Sequence, residues 1–328
     1  MVVHRVPVDR RRGGRAGLPF AVRPVRPIAE LSSDRPGPGA RGLRAAILTC
    51  AVVALTGTIP ATATAEDALR PGPSYVALGD SRASGPLIEF SEHRDLCLRS
   101  PDLNYPAKLA RLIGAATLTD VTCSAATPAH VISTAQFVGT RFAPPQIDAL
   151  RADTDVVTLS IGGGGSNHLP VSVRCGALVP GADADCRDDP HAEQLTVEGI
   201  AKMAPQVDAV VAAIVAKAPH AEVYLIGHGG SVGRRGCWPN LPVSDADAVW
   251  LDRYFERFNQ IYVDAAARYG VHYIDIAKAA VDGGHDACAP TGQRWFEGLA
   301  PQSPAEPVHP NALAMTAIAE MVAEDLGR

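Results

Sequence analysis

Hydrophobic residues in this 328-residue chain form short, nearly continuous runs that alternate with longer segments of helical periodicity. The runs are rich in Val, Ile, Leu and Tyr, and they occur at 74–79, 117–121, 155–161, 222–227 and 271–276. Apolar runs of this length without polar alternation are typical of strands buried on both faces. The pattern therefore predicts an α/β fold with a mostly parallel sheet covered by helices on both faces.

Between these runs, apolar residues recur every three or four positions, which predicts amphipathic helices. The longest predicted helices cover 195–217 and 244–269, and the second of them has Ser244 at the N-cap position. Shorter helices are expected at 106–114, 145–151 and 311–326. Because the carboxyl ends of parallel strands meet at one edge of a sheet, the loops that follow the strands should gather there.

Charge is distributed unevenly along the chain. Residues 1–65 contain ten Arg and three acidic residues, whereas the remaining residues contain 20 basic and 32 acidic ones. A net-acidic body argues against nonspecific nucleic-acid binding, which depends on cationic surfaces. Residues 1–40 are rich in Arg, Pro and Gly, and we expect them to be disordered or to precede the true start of translation.

Residues 41–65 have the three parts of a secretory signal peptide. Arg41 and Arg44 precede an apolar run at 45–55, and the small-residue sequence Ala63-Thr64-Ala65 follows. The run is too short for an ordinary transmembrane helix, so we expect no stable membrane insertion. The sequence thus predicts a secreted protein, cleaved near Ala65, whose folded domain covers 66–328.

Six cysteines follow the predicted cleavage site, namely Cys97, Cys123, Cys175, Cys186, Cys237 and Cys288. An even number of cysteines in an exported chain suggests disulfides. Six cysteines allow 15 connectivities, of which we favour pairing in sequence order. A metal site is disfavoured, because no C-x-x-C occurs and the ten histidines do not cluster with cysteines at ligand spacing.

The strand at 74–79 ends in Gly79-Asp80-Ser81, which places a hydroxyl at the edge where open α/β sheets bind their ligands. Gly, Asp and Ser also favour simple turns, so the tripeptide alone is a weak signal. A serine becomes a nucleophile when a base can take its proton, and His309 is the candidate base. The loops at 123–127 and 162–168 are candidates to supply the donors that a developing oxyanion needs.

Five sequence blocks occur in the order known from one enzyme family. They are Gly-Asp-Ser-x-Ala-x-Gly at 79–85, Cys-Ser-x-Ala-Thr at 123–127, Ser-Ile-Gly-Gly at 160–163, Gly-His-Asp-Ala-Cys at 284–288 with Arg-Trp-Phe at 294–296, and His-Pro-Asn at 309–311. Together they resemble the SGNH hydrolases, also called GDSL lipases or esterases, in the secreted bacterial branch with three disulfides. The resemblance implies a three-layer α/β/α sandwich with a flavodoxin-like sheet, no cofactor, and a monomer.

The same resemblance implies that Ser81 is the nucleophile and His309 the base. Family members build the oxyanion hole from the N–H of the nucleophile, the N–H of a glycine and an asparagine side chain. Ala125 stands at the glycine position, and its N–H can serve if the backbone permits. Gly164 stands at the asparagine position, so we expect the Gly-rich loop to bring Asn167 to the site or to leave one donor missing.

The sequence leaves two candidates for the group that orients the His309 ring. Glu306 stands where the family often has an aspartate, whereas some secreted relatives use a backbone carbonyl instead. Three further polar side chains lie near the blocks. Arg82 either meets anionic substrate groups or is solvated, and for His168 and His228 we favour solvated loop positions over the cleft.

We therefore expect a secreted serine hydrolase that cleaves carboxylic esters, from small molecules or lipids, through an acyl-enzyme. The absence of an amphipathic lid segment favours small soluble esters. Two alternatives stay open: an exported binding protein with a degenerate oxyanion hole, and an acyltransferase.

Overall fold

The computed structural model describes residues 72–89 and 96–328. The interpretations of residues 1–65 lie outside the described residues. Within the described residues, the strands are β1 (Ser74–Gly79), β2 (Thr117–Asp120), β3 (Gln136–Val138), β4 (Arg141–Ala143), β5 (Val156–Ser160), β6 (Glu222–Ile226) and β7 (His272–Ile274). Five of them form one sheet in the order β2-β1-β5-β6-β7, and every neighbouring pair is parallel. Strands β3 and β4 form a separate antiparallel hairpin.

The helices are α1 (Ser81–Ser84), α2 (Tyr105–Leu112), α3 (Pro128–Ile132), α4 (His168–Arg174), α5 (Pro190–Lys217), α6 (Asp245–Tyr269), α7 (Ile276–Asp282) and α8 (Ala312–Asp325). Short 3₁₀ turns occur at Gln146–Ala149, Gly163–Gly165 and Cys186–Asp188.

Hydrophobic side chains cover both faces of the sheet, because successive residues of a strand point to opposite sides. In β1, Val76 and Leu78 pack in the cluster that includes α5 and α6, whereas Tyr75 and Ala77 pack in the cluster that includes α2, α7 and α8. The fold is therefore the expected three-layer α/β/α sandwich with a parallel sheet in flavodoxin-like order.

Two elements differ from the sequence prediction for local reasons. The strand predicted at 271–276 ends at Ile274, because the Asp275 side chain accepts from Lys278 N–H and caps α7, which begins at Ile276. Helix α5 begins earlier than predicted, at Pro190, because Asp189 is its N-cap and proline suits the first turn of a helix. The β3–β4 hairpin, α3, α4 and α7 were not predicted, since three to seven residues carry too little periodicity.

Helix α5 is the one helix of the described residues that is long and apolar enough to cross a membrane by length and composition. Its stripe of Met203, Val207, Val210, Val211 and Ile214 is buried in the core beside β5 and β6. We therefore interpret α5 as a core helix.

The six cysteines form the bridges Cys97–Cys123, Cys175–Cys186 and Cys237–Cys288. This connectivity is the sequence-order pairing favoured above. The first bridge connects the loop that follows α1 to the loop that follows β2, and thus lies next to the block at 123–127.

Candidate active site

Ser81 lies at the carboxyl end of β1, as the first residue of α1. Asp80 precedes it as the N-cap, with Oδ1 accepting from Arg82 N–H at 3.0 Å. The other carboxylate oxygen accepts from Gly162 N–H at 3.0 Å and from Gly163 N–H at 3.1 Å. Burial raises the pKa of Asp80, and these hydrogen bonds act in the opposite direction. Asp80 thereby connects the serine turn to the Gly-rich loop that follows β5.

A second residue holds the serine turn, and no sequence motif identified it. Gln146 is buried, accepts from Gly79 N–H at 2.8 Å and donates to Gly79 C=O at 2.9 Å. This bidentate amide contact satisfies both backbone groups of the residue where β1 ends. Gln146 is 67 positions from Gly79 in the chain, so no local pattern could have revealed the pair.

His309 is brought to Ser81 by the loop that precedes α8. The distance between Ser81 Oγ and His309 Nε2 is 2.8 Å, within the range expected for a nucleophile and its base. The other ring nitrogen, Nδ1, lies 2.8 Å from the backbone carbonyl of Pro307. Because a carbonyl can only accept, Nδ1 carries the proton and Nε2 is free to accept from the serine hydroxyl.

Glu306 does not occupy the position expected of an orienting carboxylate. Its Oε2 lies 3.4 Å from Nε2 of His309, the nitrogen that faces Ser81, and its side chain is 38% exposed. The nitrogen that an orienting group must contact, Nδ1, is taken by the carbonyl of Pro307. The structure thus favours the backbone-carbonyl arrangement over the carboxylate at Glu306.

A buried polar network anchors the histidine loop. Asn311 caps α8 with its Oδ1 and donates from Nδ2 to the Arg294 carbonyl and to Glu297 Oε1. Arg294 and Glu297 form a buried ion pair at 3.2 Å, and Glu297 N–H donates to the His309 carbonyl at 3.0 Å. Arg294 and Asn311 belong to sequence blocks identified above, whereas Glu297 carried no sequence signal.

Two backbone N–H groups are available as oxyanion donors. Among the described residues, the N–H groups of Ser81 and Ala125 have no acceptor. Ala125 has a φ of 62°, in the left-handed region, so the site keeps the backbone conformation that suits the family glycine. An alanine in this conformation costs about 1–2 kcal/mol.

The Asn167 side chain, one of the donors considered from the sequence, contacts helix α5. Its Nδ2 donates to the carbonyl of Leu195 in α5 at 3.0 Å. Gly199 of α5 permits this close packing, since a Cβ at that position would lie 2.1 Å from the Ser166 carbonyl oxygen and 3.3 Å from Asn167 Cβ. The Gly-rich loop therefore turns Asn167 towards α5 rather than towards Ser81.

The first glycine of that loop is required by its conformation and by its neighbour. Gly162 has a φ of 130°, and a Cβ there would lie 2.5 Å from the hydroxyl of Tyr262. That hydroxyl donates to the Ile161 carbonyl at 2.5 Å. Gly164, at the position of the family asparagine, is exposed and has no atom within 4 Å of its would-be Cβ.

Three cationic or titratable side chains surround this loop. His228 is buried, contrary to the expected solvated position, and its Nε2 donates to the Ile161 carbonyl at 3.0 Å. Burial lowers the pKa of His228 well below its usual range, and burial also lowers the pKa of Arg82 to about 10. Arg82 donates to the Gly229 carbonyl at 2.8 Å and lies over the Phe296 ring, 5.1 Å from its centroid.

His168 is partly buried at the start of α4, with Nδ1 2.7 Å from the hydroxyl of Ser166. Burial, followed by the charges of Arg82 and His309, lowers the pKa of His168 to about 4. The ring is therefore neutral near pH 7. In the described part of the chain, no group of three or more His, Cys, Asp or Glu side chains is arranged to hold a metal ion.

Comparison with known proteins gives a consistent result. Residues 77–317 match the GDSL-like Lipase/Acylhydrolase family. "Lipase 2" of Streptomyces coelicolor is 35% identical over 301 residues, which cover 89% of this chain and 99% of the relative.

Solved structures show the same similarity. The phospholipase A1 of Streptomyces albidoflavus NA297 is 25% identical with a TM-score of 0.61, and the match covers 78% of this chain and 100% of that one. An extracellular lipase of Streptomyces rimosus has a TM-score of 0.59 at 21% identity, over 78% of this chain and all of that chain. The second similarity concerns the fold alone.

Proposed function

Because the chain belongs to the GDSL-like lipase/acylhydrolase family, we propose that it hydrolyses carboxylic esters through an acyl-enzyme on Ser81. The observation that carries the proposal is the 2.8 Å contact between Ser81 Oγ and His309 Nε2. An ester hydrolase is what the family and its lipase relatives support. The identities of the nucleophile and the base, and the covalent intermediate, are our proposal.

In the first half-reaction, Ser81 Oγ attacks the ester carbonyl carbon while its proton moves to Nε2 of His309. The imidazolium then protonates the departing alcohol, and the acyl group stays on Ser81. In the second half-reaction, His309 takes a proton from water as the water oxygen attacks the acyl carbonyl carbon. The bond to Ser81 Oγ then breaks, the imidazolium returns its proton to Oγ, and the acid leaves. The Pro307 carbonyl, which accepts from Nδ1, holds the tautomer that both steps need.

The N–H groups of Ser81 and Ala125 face the charge that develops on the carbonyl oxygen in this proposal. Both are backbone donors without another acceptor among the described residues, so neither has to break a bond in order to act. Donors fixed in advance stabilise the transition state at little reorganisation cost. The positive φ of Ala125 is consistent with a conformation kept for this purpose.

The β3–β4 hairpin supports a proposal for the substrate class. Phe137 and Phe142 are cross-strand partners, 60% and 68% exposed, with ring centroids 5.3 Å apart. Gln136 of the same hairpin donates to the Ser124 carbonyl at 2.7 Å, which connects the aromatic pair to the loop of Ala125. Exposed aromatic pairs of this kind mark contact surfaces.

Leu96 lies beside the hairpin turn, since its Cδ2 is 3.9 Å from a Cβ built on Gly139. Leu96 and Leu98 flank Cys97, with exposed fractions of 38% and 47%. The bridge from Cys97 to Cys123 connects them to the same loop. We therefore propose water-insoluble esters, taken from a lipid surface, instead of the small soluble esters that the sequence favoured. Lipase and phospholipase names among the relatives are consistent with this class.

We also propose that the protein acts outside the cell. Three disulfides are typical of oxidising compartments, and the signal-peptide pattern at 41–65 supplies the route. The mature catalytic domain would then cover 66–328.

The central test is hydrolysis of nitrophenyl esters of graded chain length by Ser81→Ala. We expect kcat to fall by more than about 10⁴-fold with the fold intact, since Ser81 is part of a loop-to-helix turn and not of the core. Ser84→Ala is the matched control. It removes a buried hydroxyl without a hydrogen-bond partner from the same short helix, and should keep the rate. A Ser81→Ala variant with the unmodified rate would refute the assignment.

A further inference from the structure

A cavity of about 450 Å³ lies between the β3–β4 hairpin, the end of β2 and the 3₁₀ turn at Gln146–Ala149. Its volume falls within the range of small-molecule sites in proteins, about 300–1,000 Å³. Neither Ser81 nor His309 lines it, so the cavity is separate from the catalytic pair proposed above. The proposed reaction gives this cavity no role.

Gln136 places the cavity behind the loop of Ala125. Its Nε2 donates to the Ser124 carbonyl at 2.7 Å. The C=O of Ser124 and the N–H of Ala125 belong to one trans peptide group, in which they point in opposite directions. Gln136, which lines the cavity, therefore lies on the side of this peptide opposite to the proposed oxyanion donor.

Gln136 also has an acceptor that the fold leaves unused. The side chain is 7% exposed, and its Oε1 is buried without a donor among the described residues. An unpaired buried acceptor is costly. A hydroxyl group that reaches Oε1 from the cavity would therefore form a hydrogen bond without breaking another one.

Two side chains that line the cavity have donors without an acceptor among the described residues. Arg141 has neither a hydrogen bond nor an ion pair there. His130 Nδ1 accepts from Thr127 N–H at 3.1 Å, so the ring proton is on Nε2, which has no acceptor in that part of the chain. A guanidinium and an N–H donor in one cavity suit the oxygens of a phosphate.

Two carboxylates also line the cavity, and both have partners. Asp120 Oδ2 accepts from Asn104 Nδ2 at 2.7 Å, and Asp148 Oδ1 lies 3.6 Å from Lys217 Nζ. Arg141 is thus the charged lining residue without a partner in the part of the chain that the structure describes. Its charge is available to an anion that enters the cavity.

The remaining lining is largely apolar and continues onto the surface of the hairpin. Phe142, Pro144 and Pro145 belong to the wall, and the exposed Phe142 ring packs against the exposed ring of Phe137. A free polyol phosphate has no apolar part to contact these rings, whereas a phospholipid places its chains next to its head group. The wall therefore favours an amphiphile.

We propose that this cavity binds the head group of an anionic phospholipid that carries both a phosphate and a hydroxyl. The phosphate would contact Arg141 and the hydroxyl would donate to Gln136 Oε1. This inference goes beyond the proposed function and does not need the acyl-enzyme, because the cavity is separate from Ser81.

Isothermal titration calorimetry with dihexanoyl phosphatidylglycerol, kept below its micelle concentration, tests the proposal. All variants are made in Ser81→Ala protein so that the lipid is not hydrolysed. Arg141→Gln removes the unpaired charge and should raise Kd at least about tenfold. Ala143→Trp keeps that charge but fills the cavity, and should raise Kd to a similar extent.

Arg151→Gln is the matched control, since Arg151 is an arginine with a 77% exposed side chain that does not line the cavity. Its Kd should equal that of the Ser81→Ala parent. Thermal unfolding of each variant reports whether the fold is preserved. Because Arg141 is exposed, its replacement should not disturb the core.

Two further ligands separate the head group from the acyl chains. Dihexanoylglycerol, which lacks the phosphate, should bind with the same Kd to the parent and to Arg141→Gln. Glycerol phosphate, which lacks the chains, should compete with the lipid but bind at least about tenfold more weakly. Equal affinity for glycerol phosphate and the lipid would show a site for soluble polyol phosphates and overturn the lipid assignment.

The site itself would be refuted by an absence of phosphatidylglycerol binding, or by an unchanged Kd in Arg141→Gln. Neither result affects the proposed function as long as Ser81→Ala is inactive towards esters. An active Ser81→Ala variant would instead refute the proposed function and leave the head-group site in place.

Discussion

The Nδ1–H group of His309 donates to the backbone carbonyl of Pro307, and that geometry depends on Val308, which lies between the two residues. Val308 adopts a φ of 56°, which is rare for a β-branched side chain and costs about 1–3 kcal/mol. Backbone hydrogen bonds from Val308 N–H to Gly298 and from His309 N–H to Glu306 hold it there. Strain concentrated beside the base is consistent with the role proposed for the Pro307 carbonyl.

The position of Glu306 leads to a prediction at this scale. Replacing it by glutamine should leave kcat within about threefold of the unmodified value, because the orienting carbonyl is unaffected and the carboxylate is partly exposed. Loss of a true orienting carboxylate costs about 10⁴-fold in serine proteases. Steady-state kinetics with one nitrophenyl ester shows whether the Glu306 carboxylate orients His309 or not.

Glu324→Gln is the control for that measurement, since it removes an exposed carboxylate from α8 without approaching the site. A hundredfold or larger loss in Glu306→Gln alone would mean that the carboxylate rotates to Nδ1 during the reaction.

At the scale of secondary-structure elements, the hairpin of β3 and β4 has an unusual distribution of side chains. Its two phenylalanines are exposed, while Gln136 and Val138 are buried against the body of the protein. Arg141 is exposed on the same hairpin and has no ion-pair partner among the described residues. Apolar rings beside an unpaired cation are suited to an anionic lipid surface.

We therefore predict that the double change Phe137→Ser and Phe142→Ser lowers hydrolysis of an ester embedded in anionic vesicles. The ratio of the vesicle rate to the rate with a soluble ester should fall about tenfold, because the change removes the two exposed rings that we propose to contact the lipid. Flotation of the protein with vesicles of phosphatidylglycerol and phosphatidylcholine measures binding directly.

Leu112→Ser is the matched control for the hairpin variant. Leu112 is 51% exposed at the end of α2, near the edge of the sheet where the strands begin and opposite to the proposed site. The ratio of the vesicle rate to the soluble-ester rate in Leu112→Ser should equal that of the unmodified enzyme. An unchanged ratio in the hairpin variant would favour soluble esters instead.

At the scale of the whole molecule, three disulfides close loops in different parts of the structure. The bridged cysteines are 26, 11 and 51 positions apart, and loop closure of this size contributes about 3–4 kcal/mol per bridge. Mass spectrometry of the exported protein should find no free thiol and an N-terminus near Glu66. Alkylation of two or more cysteines without reduction would contradict the proposal that the protein is exported with three disulfides.

Stability should also depend on pH through Asp252 of α6. Its side chain is 15% exposed, and burial, followed by the charge of Glu256, raises the pKa of Asp252 to about 6. Arg234 Nε lies 3.8 Å from Asp252 Oδ2, but the Arg234 side chain is 63% exposed, so it stabilises the Asp252 carboxylate only weakly. In the unfolded chain the pKa is near 4, so folding favours the protonated form.

The sign of the effect follows from this difference. The contribution of Asp252 to stability is fully present below about pH 4 and is lost as the pH rises through about 6. Asp252→Asn should therefore raise the free energy of unfolding at pH 8 by about 1–3 kcal/mol and change it little at pH 4. Urea unfolding at both pH values measures this, with the exposed Asp264→Asn on the same helix as control.

The sequence by itself determined the class of fold, the disulfide-rich character of the chain and the positions of Ser81 and His309 at loops that follow buried elements. It could do so because apolar runs, helical periodicity and short motifs are local features that a linear pattern records. The order of the motif blocks then indicated the family before any contact was known.

The tertiary structure alone decided which groups these residues meet. Ser81 and His309 are 228 positions apart, and Gln146 reaches Gly79 across 67. The direction of Asn167 depends on Gly199 of α5, and the direction of the His309 ring depends on the backbone of Val308. Such choices follow from packing and hydrogen-bond satisfaction between distant segments, which no local pattern encodes.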